Sequence, residues 1–223
     1  MRINLSLSPN TELCPFNYQG HLVYKFHKWL GENAVHDDIS LYSMSWLHNG
    51  KRRGRGLDFR DGAKWFISGW DDRLVKKLVQ GIQTDPELAF GMYVDQIQLA
   101  DCPNFSQRER FLLASPIFIK RTIGEEEKFY YHSDRESNDL LTETLVNKMK
   151  QVNIEGPVRV AFDSSYASPK IKMVTYKGTH RKASMCPVIL EGSPEAIRFA
   201  WHVGIGNGTG IGFGALVEDQ RRK

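Results

Sequence analysis

The apolar positions of the first hundred residues change period in a regular order. Residues 2–8 place Ile3, Leu5 and Leu7 between polar neighbours, the two-residue period of a half-buried strand. Residues 18–30 switch to helical spacing. Leu22, Phe26 and Trp29 recur at i, i+4 and i+7, and Gly31 follows as a natural helix stop. Residues 39–47 predict a second strand, Asn49-Gly50 opens a turn, and residues 63–70 predict the returning strand. Asp71 is placed to cap a helix carrying Leu74, Val75, Leu78 and Ile82, and residues 90–99 predict a fourth strand. Residues 100–110 are polar, contain Pro103 and Asn104, and read as a linker.

The second half repeats this order. Residues 115–121 predict a strand paired with residues 128–131 across Gly124. Residues 134–152 form a long amphipathic pattern bearing Leu140, Leu141, Leu145, Val146 and Met149. Residues 158–162 and 187–191 predict strands. Ser193 and Pro194 then suit the cap and first turn of a helix whose apolar residues include Ile197, Phe199, Ala200 and Val203. A glycine-rich loop and a short apolar stretch, residues 213–217, complete the pattern. Two β-α-β-β-α-β halves predict an α+β chain of two tandem ferredoxin-like domains, residues 1–105 and 106–223.

Composition narrows the class. The chain has 223 residues, 41% of them hydrophobic, enough to bury a core without covalent staples. No apolar run approaches the length of a membrane span, and residues 1–5 lack the long apolar segment of a secretory signal. Cys14, Cys102 and Cys186 are scattered and unpaired in pattern, which suits a reducing cytoplasm and offers no zinc motif. Neither a cofactor nor a metal is expected. The net charge of +4 is modest but clustered. One cluster is Lys51-Arg52-Arg53-Gly54-Arg55. The other comprises Lys170, Lys172, Lys177, His180, Arg181 and Lys182, with Tyr176 among them. Basic clusters with interleaved aromatics suit a polyphosphate partner.

Six glycines alternate between Gly204 and Gly214. No Lys follows any of them, which excludes the phosphate loop of the nucleotide hydrolases. The order helix, loop, strand excludes the dinucleotide fingerprint. Two roles remain open for the segment. The backbone amides of Gly206, Gly208, Gly210 and Gly212 could hold a phosphate, or the missing side chains could let two parts of the protein pack closely.

The chain also has groups suited to proton transfer on RNA. Tyr24 and Lys28 are four residues apart and share a helix face away from the Leu22, Phe26 and Trp29 stripe. His36 follows in a short polar loop, and His21 and His27 lie on the helix itself. The neighbouring carboxylates Asp37 and Asp38 read as solvated or capping groups rather than magnesium ligands.

These elements resemble one family over essentially the whole chain. The segment Gly204-Ile205-Gly206, Gly210, Gly212-Phe213-Gly214 before a final strand is similar to the C-terminal glycine signature of the CRISPR RNA-processing endoribonucleases of the RAMP superfamily. Residues 1–30, 162–166, 175–178 and 186–192 resemble the family as well. The resemblance implies two ferredoxin-like domains and metal-independent cleavage of CRISPR repeat transcripts into guide RNAs. Attack by the 2′-hydroxyl would leave 2′,3′-cyclic phosphate and 5′-hydroxyl ends. His36 would be the general acid or base, with Tyr24 its partner. A lysine that some members carry shortly after this histidine is missing. Lys28, Lys51 or Arg52 would then supply the cation, and His27 in place of His36 stays open. Lys170, Lys172, Lys177, Arg181 and Lys182 would contact the repeat RNA, the expected partner. The alternative implied by the missing lysine is a non-catalytic RNA-binding subunit of a CRISPR effector complex. A homodimer is a further candidate assembly, and no membrane is expected.

Overall fold

The computed structural model describes residues 1–31 and 39–219. In chain order, the first unit contains β1 (Arg2–Leu7), β2 (Cys14–Pro15), α1 (Gln19–Leu30), β3 (Tyr42–Met44), β4 (Lys51–Arg53), β5 (Gly56–Asp58), β6 (Ala63–Gly69), α2 (Asp72–Thr84) and β7 (Val94–Ala100). Its main sheet has the order β3-β6-β1-β7 with antiparallel pairing throughout. This is the ferredoxin-like order, with the first strand between the third and fourth of the β-α-β-β-α-β unit. Short strands β2, β5 and β4 form a small side sheet, whose β4–β5 hairpin carries the first basic cluster.

The second unit contains β8 (Arg108–Leu113), β9 (Ile119–Ile123), β10 (Glu126–Tyr130), α3 (Ser137–Lys150), β11 (Val158–Phe162), β12 (Lys170–Tyr176), β13 (Thr179–Met185), β14 (Val188–Gly192), α4 (Pro194–Val203) and β15 (Leu216–Glu218). Its sheet order, β11-β14-β8-β15, repeats the ferredoxin-like arrangement. The hairpins β9–β10 and β12–β13 stand apart from it. The fold is therefore two tandem ferredoxin-like units.

The local signals act as their chemistry requires. The Asp71 carboxylate accepts from the Arg73 amide at the start of α2, and the Ser193 hydroxyl accepts from the Ala196 amide at the start of α4. One expectation is corrected. The stretch read as linker holds β8, which pairs with both β14 and β15 at the centre of the second sheet. Arg108, Glu109 and Arg110 disguised it. Charged side chains stand on the open face and at the strand's start, and Arg110 is held there by Asp163 and Asp219. Residues 115–121 instead lead from β8 into β9, the first strand of a side hairpin.

The two units share a core through α4. Ala196, Ile197, Phe199, Ala200, Trp201, His202 and Val203 of this ten-residue helix are all buried. Only Pro194, Glu195 and Arg198 are exposed, so the wide apolar surface of the helix needs cover on two sides. One side packs on β14 and β15 of its own sheet, the other on β3 and β6 of the first unit. Trp70 meets Phe199 edge-on with ring centroids 5.1 Å apart, and the Ser43 hydroxyl donates to the His202 carbonyl at 2.9 Å.

Candidate nucleic-acid interface

The glycine segment sits at the junction of the two units. Trp46 of the first unit donates its indole N–H to the Gly212 carbonyl at 3.1 Å. At Gly212, φ is +86°, and a Cβ there would lie 2.5 Å from the Gln19 side-chain nitrogen at the start of α1. A Cβ on Gly210 would lie 2.5 Å from the Ser40 hydroxyl and 2.7 Å from that of Tyr42. Gly206, Gly210 and Gly212 are buried, whereas Gly208 is half-buried. The missing side chains thus permit close backbone approach. Close packing is thus seen at the three buried glycines, and Gly206 and Gly208 both line a pocket.

Helix α1 presents the first-unit candidates. Leu22, Phe26 and Trp29 face the core, leaving Tyr24 exposed at 69%. Lys28, one turn on, is exposed and pairs with the Asp85 carboxylate at 2.8 Å. The same carboxylate oxygen accepts from buried Lys25 at 2.8 Å, and the Trp29 indole donates to the Asp85 carbonyl at 2.6 Å. These two ammonium groups hold the Asp85 carboxyl below the usual carboxylate range. Asp85 raises the pKa of Lys28 in turn, with a smaller contribution from neighbouring Tyr24. Tyr24 and Lys28 are therefore together on one face, as their spacing requires. His36 lies outside the described residues.

The basic clusters occupy two hairpins. Lys51 and Arg52 are exposed on β4. Lys51 pairs with Asp61 at 3.3 Å, and the Arg52 guanidinium lies 5.6 Å from the centre of the Phe16 ring. In the β12–β13 hairpin, Lys177 and Gly178 form the turn, at φ +48° and +75°. The register pairs Val174 with Arg181, and Met173 with Lys182. By strand alternation, Lys170, Lys172 and Arg181 share the face of Val174, while Lys182 and His180 share the other with Met173. The hairpin therefore carries positive charge on both faces. Buried Val174 and Ala183 join Phe118 and Phe213 in a small core, which docks the hairpin on the glycine segment. Arg181 is half-buried and donates to the Tyr176 carbonyl at 3.3 Å, whereas Lys170, Lys172, Lys177 and Lys182 are exposed.

Sequence reasoning missed Lys148. It is 4% exposed on α3, and its Nζ donates to the Val203 carbonyl at 3.3 Å and to the Thr209 hydroxyl at 3.0 Å. Burial pulls its pKa down to about 7. The signal was present in the spacing, because Leu141, Leu145 and Lys148 fall at i, i+4 and i+7 on the inner stripe. Asp85 carried no comparable sequence signal, since its lysine partners lie 60 and 57 positions away in the chain.

Comparison with known proteins supplies independent findings. A family model described as CRISPR associated protein Cas6, C-terminal, matches residues 100–217, just over half of the chain. The CRISPR-associated endoribonuclease Cas6 1 of Methanocaldococcus jannaschii is 24% identical, over 100% of this chain and 95% of that protein. The CRISPR-associated endoribonuclease-like protein Cas6nc of Pyrococcus horikoshii is 22% identical, over 97% and 98%. A solved structure described as a RAMP protein binding different RNA substrates superposes with a TM-score of 0.84 at 19% identity, covering 98% of this chain and 100% of that one. No helix among the described residues is long and apolar enough to cross a membrane.

Proposed function

Because the chain belongs to the CRISPR-associated Cas6 family, we propose that it is an endoribonuclease that cuts CRISPR repeat transcripts into guide RNAs in the cytoplasm. The observation that carries this reading is the glycine segment, seated between two ferredoxin-like units with a basic hairpin docked on it. Similarity over nearly the whole length to a relative named as a CRISPR-associated endoribonuclease supports it. Residues 1–105 carry the chemistry in this reading. Residues 106–223 carry the glycine segment and the main RNA grip.

RNA supplies its own nucleophile. One protein group takes the 2′-hydroxyl proton, another protonates the leaving 5′-oxygen, and a cation stabilises the charge on phosphorus. His36 suits the first or second role, because histidine changes charge near neutral pH. Tyr24, exposed on α1, takes the complementary one. Lys28, one turn from Tyr24, is the cation on that face. No step needs a metal ion, and the products carry 2′,3′-cyclic phosphate and 5′-hydroxyl ends. Lys51, Arg52, Lys170, Lys172, Lys177, Arg181 and Lys182 grip the phosphates on either side. RNA stems are held mainly in this way, through phosphates and 2′-hydroxyls.

The test is incubation with end-labelled repeat RNA from the protein's own array in excess EDTA, followed by mapping of the product ends. A single cut leaving a cyclic or 3′-phosphate is expected. His36→Ala then abolishes cutting while RNA binding persists. Cleavage that stops in EDTA overturns the metal-independent chemistry.

A second reading is a non-catalytic RNA-binding subunit of a CRISPR effector complex, alone or as a homodimer. The observation favouring it is that the Lys28 ammonium is already engaged by Asp85. It predicts tight repeat binding with no cut by the wild-type protein.

A further inference from the structure

Lys148 is a buried amine with no carboxylate paired to it among the described residues. Its two acceptors, the Val203 carbonyl and the Thr209 hydroxyl, are both neutral. An ammonium has three donors, so one is left over. A buried amine with no carboxylate paired to it among the described residues is a costly way to fasten a helix to a loop, because neutral groups would make the same two bonds.

The surroundings supply a use for it. Lys148 lines a pocket of about 340 Å³ together with Ser40, Arg121, Asn207, Gly208 and Thr209. The other charged groups lining this pocket among the described residues are Arg121 of β9 and Glu143 of α3, paired at 3.1 Å. Arg121 also donates to the Leu140 carbonyl and the Thr144 hydroxyl. That pair is balanced, so among the described lining residues Lys148 is the one ionisable group without a charged partner. Ser40 stands four positions beyond His36 in the chain, and Gly208 and Thr209 bring the glycine segment to the same wall.

We propose that this pocket receives one phosphodiester of the bound RNA strand, and that Lys148 is its buried cationic contact. The proposal rests on reading the protein as one that binds repeat RNA. It adds a site that neither basic hairpin contains. An entering phosphate supplies the missing counter-ion and the third acceptor in one step. The bound complex therefore keeps Lys148 charged, whereas burial alone favours its neutral form.

The experiment measures the affinity of the full chain for repeat RNA across a salt series, comparing wild type with Lys148→Met and Lys148→Arg. The RNA carries a 2′-deoxy nucleotide at the mapped cut, or is left unmodified if nothing is cut. Loss of one charge-assisted contact predicts affinity down by about tenfold in Lys148→Met. The slope of log affinity against log salt should fall by about one, with partial recovery in Lys148→Arg. A purely structural lysine would leave that slope unchanged, and such a result overturns the proposal while leaving cleavage intact.

Should Lys148→Met fail to fold, calorimetry on the wild type decides the matter. Binding at pH 8, in buffers of different ionisation enthalpy, should take up about one proton per complex. Zero uptake overturns the proposal. If the wild type binds no RNA at all, the function assigned above fails. The pocket is then tested with inorganic phosphate alone. Phosphate that raises the Tm of wild type but not of Lys148→Met keeps the anion site, and equal shifts remove it.

Discussion

The Arg2 guanidinium stands over the Trp201 indole, its central carbon 3.6 Å from the ring centroid, and its Nη2 donates to the Trp201 carbonyl at 2.5 Å. The same group lies 4.2 Å from the centre of the Phe66 ring. The second residue of the chain is thereby fastened to a helix nearly two hundred positions away. Burial holds the Arg2 pKa down to about 9. Removing this side chain deletes a charge-assisted hydrogen bond and two desolvated ring contacts across the junction. Arg2→Ala is expected to lower stability by about 3 kcal/mol in urea unfolding. A change below about 1 kcal/mol would mean that the junction does not depend on this contact.

His202, next to Trp201, predicts an acid-sensitive junction. Its Nδ1 lies 3.0 Å from the Ser68 hydroxyl, and burial, with the nearby positive N-terminus and Arg2, lowers its pKa from 6.5 to about 3. Between those values the unfolded chain binds a proton that the folded chain refuses, so stability is lost as the pH falls through this window. From pH 6.5 to 5 the loss is about 2 kcal/mol. His202→Gln should flatten the urea midpoint over that interval, and an unchanged slope would assign the acid sensitivity to another group.

Lys148 predicts a trend of the same sign at higher pH. Its folded pKa is near 7 against 10.5 unfolded, so the unfolded chain binds the extra proton between these values and stability rises with pH. The gain from pH 7 to 9 is about 2 to 3 kcal/mol. Unfolding of RNA-free Lys148→Met at the two pH values should show no such gain.

Two glycines at similar φ separate conformational strain from crowding. Gly124 turns the β9–β10 hairpin at φ +63° with nothing within 4 Å of a built Cβ. Gly214 has the same φ, but a Cβ there would overlap the Ile205 carbonyl oxygen. Gly124→Ala is expected to cost about 1 kcal/mol. Gly214→Ala should exceed about 4 kcal/mol, because backbone must move. Circular dichroism melts of the two variants check the difference, and equal shifts would mean that the junction yields easily.

Lys172 tests the RNA grip of the β12–β13 hairpin. It is exposed, with no carboxylate paired to it among the described residues, whereas Lys51 is paired with Asp61. Lys172→Ala should weaken repeat binding at every sequence tested and reduce the salt slope by about one. Lys51→Ala should have a smaller effect. Filter binding over a salt series separates the two, and a Lys172→Ala slope equal to wild type would take the hairpin out of the interface.

The sequence by itself determined the element types, because local period does not depend on what lies opposite. Ile3, Leu5 and Leu7 alternate as β1, and Leu22, Phe26 and Trp29 recur as α1. Asp71 and Ser193 start their helices through bonds only two or three residues long. The tandem ferredoxin-like fold and the family were legible for the same reason, the latter through the spacing of six glycines. Other features required the tertiary structure. Strand β8 hid because Arg108 and Arg110 find their carboxylate partners elsewhere in the chain, at Glu191, Asp163 and Asp219. Lys148 was passed over in the sequence because its burial depends on the glycine segment, whose Thr209 hydroxyl accepts from it. Lys28 read as a free cation until Asp85 arrived from the end of α2. A side chain's charge state and partners depend on which distant groups exclude water from it, and only the folded chain decides that.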